Sequence, residues 1–151
     1  MTNSKSSARI GFVLLLVMSI LAIAYSVFAV GYPDFFLKRS CPGYTGQAWM
    51  DLAAASPGTA VYIRALQRYV GGFGLALTIG ALIVLLGAFK KGEKWAWVYF
   101  LIAGAGGWLI NIIYHIFSKS SLGLAMNLVG IGVVILALII TAKDFFGKKA
   151  A

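Results

Sequence analysis

The chain predicts an all-α membrane fold: a four-helix transmembrane bundle with a structured loop between its first and second helices. Three observations lead there. Of 151 residues, 61% are hydrophobic and only 11% charged, against roughly half and a quarter in soluble domains, so polar side chains are too few to cover a water-facing surface. Four stretches carry no charge, Ile10 to Pro33, Tyr69 to Phe89, Trp95 to Ser118 and Ser120 to Ala142, and each meets the roughly 20 residues a helix needs to cross hydrocarbon. With no water in the bilayer core, backbone groups must be satisfied within the segment, which suits helices rather than the short alternating strands of a barrel. Residues 1–151 are expected to form one transmembrane domain, with spans near 10–32, 66–89, 95–117 and 121–142 and an outer loop at 33–56.

The first span follows a basic start, Lys5 and Arg9, and has small-residue sites after Ala24 and Ala29 where a signal peptidase could cut. Its apolar run continues to Val30, longer than a signal core, so it is read as a retained helix. Orientation comes from the cations near the span ends. Lys5, Arg9, Lys90, Lys91, Lys94, Lys143, Lys148 and Lys149 fall on the side of the termini, eight against the five of Lys38, Arg39, Arg64, Arg68 and Lys119. That bias places both termini in the cytoplasm, in a plasma membrane, with the tail KDFFGKK as a basic aromatic anchor. The formal charge of +9 is therefore a topology signal, and nucleic acid is not expected as a partner.

Tyr32 to Ser56 is the one long connection, and its aromatics Tyr32, Phe35, Phe36, Tyr44 and Trp49 suit the headgroup level. If GQAWMDLAAA is a short helix, Trp49, Leu52 and Ala53 share a face. Ser56-Pro57 is a helix start, with Ser to accept an amide bond and Pro at the first helical position. A helix from Pro57 to Phe89 has 33 residues and spans about 50 Å, against about 30 Å of hydrocarbon, so its first turns project outside. Arg64 and Arg68 lie four apart there, placed either to snorkel or to clamp a phosphate, a carboxylate or a lipid headgroup. Gly71, Gly72 and Gly74 follow and bend the helix or admit a close neighbour.

Small residues predict how the helices associate, because lipid offers no hydrophobic drive between them. Ser19, Ala22, Ser26 and Ala29 on the first helix, Gly72, Ala76 and Gly80 on the second, and Ala103 and Gly107 on the third recur at helical spacing. The third and fourth helices are joined so tightly, around Ser118 to Ser121, that they form an antiparallel hairpin. With the turn centred near Lys119, Asn111 falls opposite Asn127 and His115 opposite Gly123, on faces completed by Gly107 and Gly130. The two amides then either bond to each other or line a pocket with His115, Trp108, Tyr114 and Arg68.

Little catalytic chemistry is on offer. All four acids, Asp34, Asp51, Glu93 and Asp144, lie outside the charge-free runs, so the buried carboxylates of proton and cation relays are absent. Cys41, His115 and Asp34 or Asp51 fall on one side, but no local signature joins them into a thiol, base and carboxylate set. One His and one Cys supply no self-contained zinc site, and His115 lacks a second His for haem ligation, so neither metal nor cofactor is expected. In length and span count the chain resembles the DoxX-like proteins and the sterol-handling EXPERA group. No motif of either aligns, and the acid-free spans depart from the acidic pocket that the second implies, so no residue role is carried over.

The functional expectation is a noncatalytic interaction or accessory subunit that assembles through small-residue faces, in contact with membrane lipids and with a homo-oligomer or larger complex as its setting. The alternative is a carrier or receptor for a small amphiphile, a lipid or quinone, bound by Asn111, His115, Asn127, Arg64, Arg68, Trp108 and Tyr114. A third reading is a subunit of a membrane oxidoreductase whose chemistry belongs to a partner.

Overall fold

The computed structural model describes residues 3–147, with side chains from Ser7 onward. Lys148 and Lys149, and the side chain of Lys5, lie outside the described residues. The described chain is all-α, with seven helices: α1 (Asn3–Gly31), α2 (Pro33–Thr45), α3 (Trp49–Ala55), α4 (Pro57–Val84), α5 (Lys94–Tyr99), α6 (Gly106–Phe117) and α7 (Ser121–Phe146). A π-helical turn, Leu85–Phe89, ends α4, and a second, Phe100–Ala105, joins α5 to α6. Four continuous stretches are long and apolar enough to cross a membrane: Ser7–Gly31, Pro57–Phe89, Lys94–Phe117 and Ser121–Phe146. The second and fourth extend well past their charge-free runs, to Pro57 and Phe146, where Lys and Arg at helix ends can carry their charges out along apolar stems.

α1 is flanked by α4 on one side and α7 on the other, and α7 in turn packs along α6. Close approach explains that order. Ser19, Ser26 and Ala29 are buried on α1, as their spacing predicts. Gly71 of α4 lets the Ala29 Cβ come within what would be 3.1 Å of a side chain there, and Gly74 faces Ser26. At the other end Gly11 of α1 lies over Thr141 and Ala137 of α7. The hydroxyls of Ser19 and Thr141 donate to the carbonyls of Leu15 and Ala137, 2.8 Å each, so neither is left unsatisfied in an apolar interior. The face predicted for α4 differs: Gly72 and Gly80 have open space beside them, and Ala76 is exposed.

The main core lies toward the end that carries both described termini. Leu15, Leu85, Phe89, Phe100, Val134, Leu138 and Phe145 are buried together there. The two π turns meet in this core: the Phe89 ring lies 5.5 Å from Phe100 and 4.6 Å from Phe145. A π turn inserts one residue into the helix and re-aims the face that follows, which brings both rings inward. The Trp97 indole donates to the Leu138 carbonyl at 3.0 Å.

The opposite end is closed by a cap, built of α2, α3 and the first turns of α4 around a second apolar cluster of Leu37, Cys41, Trp49 and Ala60. Trp49 is 1% exposed, and Leu52 and Ala53 pack beside it, which is the shared face its helical spacing predicts. The loop between the first two spans is thus mostly helical. Pro33 starts α2 where a missing N–H costs nothing, and Asp34 occupies its first turn. Pro57 starts α4 in the same way, but the Ser56 hydroxyl donates to Thr59 Oγ1 at 2.7 Å and makes no amide cap. α2 crosses to the tip of the α6–α7 hairpin, where Gly43 lies directly on the Ser118 backbone and Tyr44 donates to the Tyr114 carbonyl at 3.1 Å.

Candidate functional site

Two places gather polar side chains, and the structure treats them differently. The first is the seam between α6 and α7. Lys119 takes a left-handed φ of 53° at the turn, and Ser120 caps α7 by accepting from the Gly123 amide. The His115 ring lies flat against Gly123, where a Cβ would overlap it, and the Trp108 ring occupies the corresponding place over Gly130, 2.7 Å from a notional Cβ. Asn127 is buried and donates to the Gly123 carbonyl at 2.7 Å. Asn111 is exposed and donates to the Gly107 carbonyl at 3.0 Å. Each amide therefore closes on its own helix rather than on the other. The depth match of His115 with Gly123 follows the sequence spacing; Tyr114 faces Tyr44, and Arg68 is elsewhere.

The second place is the elbow between α1 and α2. Tyr32 breaks the helix, with φ −126° and ψ 59°, while its amide still donates to the Phe28 carbonyl at 2.8 Å and its carbonyl accepts from Phe35. The fold-back stacks aromatic rings: Phe28 meets Tyr32 at 4.9 Å, Phe35 at 5.0 Å and Phe36 at 5.7 Å. One carboxylate then ties three helices. Asp34 Oδ1 accepts from Arg64 Nε of α4 and from Trp49 Nε1 of α3, both at 2.8 Å. The Arg64 guanidinium carbon also sits 5.3 Å from the Trp49 ring centre. The Arg64 hydrogen bond, with help from Trp49 and the nearby charges, holds the Asp34 carboxyl below its ordinary value although partial desolvation opposes this. Arg39 is fixed over the Phe35 ring at 3.7 Å.

Around this tie lies an open recess of about 580 Å³, lined by Gly31, Tyr32, Pro33, Asp34, Phe35, Lys38, Arg39, Arg64 and Arg68. Four cations stand against one carboxylate, and that carboxylate is paired with Arg64. Arg64 and Arg68 do share a face, as their spacing predicts, but the two cations that join them come from α2. Sequence reasoning missed Asp34, Lys38 and Arg39 as part of this site. The signal for them was Pro33 followed by Asp34, a helix start that sets Asp34, Lys38 and the Phe35–Arg39 pair at four-residue spacing.

A smaller cavity of about 310 Å³ lies on the other side of α2, among Leu37, Cys41, Tyr44, Trp49, Ile63 and Tyr114 and their neighbours. Its walls are mostly apolar, and Cys41 Sγ lies 3.4 Å from Thr45 Oγ1. The structure brings Cys41 into the cap cluster, Asp34 to Arg64 and His115 to Gly123, so these three do not assemble. Among the described residues no group of three or more His, Cys, Asp or Glu is placed to hold a metal ion. Comparison with protein-family models, curated proteins and solved structures finds no match.

Proposed function

We propose that this chain is a small noncatalytic membrane protein that holds the anionic headgroup of an amphiphile in the recess at the α1–α2 elbow, acting as a receptor or accessory subunit. The observation that carries this reading is the excess of cations there: Lys38, Arg39 and Arg68 line the recess in addition to the Arg64–Asp34 pair. Position supports it. The charge-free run Tyr69–Phe89 has 21 residues, about the length needed to cross hydrocarbon, a reading that puts Arg68 at the headgroup boundary and Arg64 one turn above. Tyr32 and Phe35 supply the aromatic surface suited to that level. Asp34, doubly hydrogen-bonded and held ionised, is a poor proton acceptor. The eight-to-five bias in span-end cations favours an orientation in which the cap faces away from the cytoplasm.

The test is native mass spectrometry of protein released from nanodiscs of phosphatidylcholine doped with phosphatidylglycerol. At about 1 kcal/mol per cation near an anionic surface, the retained lipid is expected to be enriched in phosphatidylglycerol by about tenfold or more. Retention in proportion to the bulk mixture would sink the reading.

A second reading, assembly through a helix face, draws on the open stripe of Gly72, Ala76 and Gly80 along α4. Its mark is a stable oligomer in mild detergent that Gly72→Leu dissociates; a monomer for both proteins would count against it.

A further inference from the structure

We infer that the elbow recess takes a lipid carrying a multiply charged terminal phosphate, a phosphate monoester or diphosphate, in preference to the singly charged phosphodiester of common anionic phospholipids. This rests on the headgroup reading above and sharpens it by charge and by the number of acceptor oxygens.

Asp34 neutralises one cation, because its Oδ1 is held by Arg64 Nε at 2.8 Å. Lys38, Arg39 and Arg68 remain, an excess of three positive charges around one recess of about 580 Å³. A phosphodiester brings one charge and two unbridged oxygens, so most of that excess would stay uncompensated at the edge of a low-dielectric phase, where like charges repel strongly. A terminal phosphate brings three acceptor oxygens and close to two charges near neutral pH, enough for Arg and Lys donors from two helices at once. The donors are partly preset: Arg39 is stacked on Phe35 at 3.7 Å and Arg64 is anchored by Asp34, which reduces the side-chain entropy lost on binding.

The phosphate is lipid-borne because of what lies below the recess. Arg68 is on the same face of α4 as Gly72 and Ala76, one and two turns further into the apolar span. Ala76 is exposed and nothing lies close to Gly72. A smooth apolar surface therefore descends from the cations into the hydrocarbon.

The experiment places the full chain in phosphatidylcholine nanodiscs containing equal small amounts of phosphatidate and phosphatidylglycerol, and reads retained lipid by native mass spectrometry at pH 8 and pH 5. At pH 8 phosphatidate is expected to be retained about tenfold over phosphatidylglycerol. At pH 5 the monoester has regained its second proton, whose pKa is near 6, and the preference is expected to shrink to about threefold or less. The ionisable groups facing the site are Tyr32, Asp34, Lys38 and Arg39 from the elbow and α2, and Arg64 and Arg68 from α4. Asp34 is the acid among them, and Arg64 keeps it ionised across this window.

Lys38→Gln with Arg68→Gln, both at exposed positions that make no hydrogen bond to Asp34, should erase the phosphatidate preference while thermal unfolding changes little. Equal retention of the two lipids, both above phosphatidylcholine, would overturn the terminal-phosphate inference and leave the headgroup reading standing. No enrichment of either would overturn both. Displacement of phosphatidate by inorganic phosphate or pyrophosphate at matched concentration would show a site for the free anion and overturn the lipid assignment.

Discussion

The α6–α7 seam and the α1–α2 elbow both collect polar side chains at the cap end, yet in one the amides close on their own helices and in the other most of the cations stand exposed. In the seam, His115 and Trp108 fill the places left by Gly123 and Gly130, and Asn111 and Asn127 return their amides to their own helices. At the elbow the single carboxylate is used to tie helices together, and the cations around it stay accessible. The difference teaches that a polar residue within a membrane span is no guide to a site by itself. Inside the apolar phase each donor must find an acceptor, and the backbone four residues back is always at hand. Just outside it, water and headgroups solvate a charge, so cations can be held in reserve for a ligand.

The comparison can be broken most forcefully where the two regions join. A Cβ at Gly43 would overlap the Ser118 backbone, which cannot swing aside as a side chain can. Gly43→Ala should therefore lift α2 off the hairpin tip and cost about 3 kcal/mol, at the upper end of ordinary overpacking, read as a lowered midpoint in detergent unfolding. Within the seam, Gly130→Val drives a side chain into the Trp108 ring; about 2 kcal/mol is expected, with a change in the near-ultraviolet dichroism of the indole. At the elbow, Asp34→Asn leaves Arg64 without its countercharge. Because the Arg64 and Asp34 side chains are 31% and 46% exposed, solvent screening limits the loss to about 1 kcal/mol.

The same pair sets an acid transition. Asp34 is held below its ordinary value of 3.8, so its contribution to stability is complete above that value and is lost as pH falls through the lower, folded-state one. An acid titration of cap stability should show this step in the wild type and lack it in Asp34→Asn. The smallest effect is expected at Asn111→Leu, within about 0.5 kcal/mol of neutral, since Asn111 is exposed and its amide serves only its own helix. The matching change at buried Asn127 should cost more.

Much of the fold was legible because crossing a bilayer is demanding. Charge-free length marked the four spans; Pro57 and the extra turns marked the long projecting helix; Trp49, Leu52 and Ala53 marked the face of α3. The small face of α1 followed from helical spacing, and the meeting of His115 with Gly123 from that spacing together with the tight turn at Lys119. The face of α4 did not, since Gly71 and Gly74 took the interface rather than Gly72, Ala76 and Gly80. In a span, lipid-facing and buried positions are equally apolar, so the amphipathic stripe that reveals a soluble helix's inner face is missing. The π turns were not read from the sequence at all; each inserts one residue into its helix, and Phe89 and Phe100 meet across them. At the recess, Arg64 and Arg68 announced themselves by spacing, whereas Lys38 and Arg39 reach it only because α2 folds back at Tyr32.

The most direct measurement sets the two regions against each other in one experiment: anionic lipid retained in nanodiscs by the wild type, by Lys38→Gln with Arg68→Gln, and by Asn111→Leu with Asn127→Leu. The elbow variant is expected to lose its enrichment by about tenfold, while the seam variant keeps that of the wild type. Loss in the seam variant with retention in the elbow variant would contradict the account.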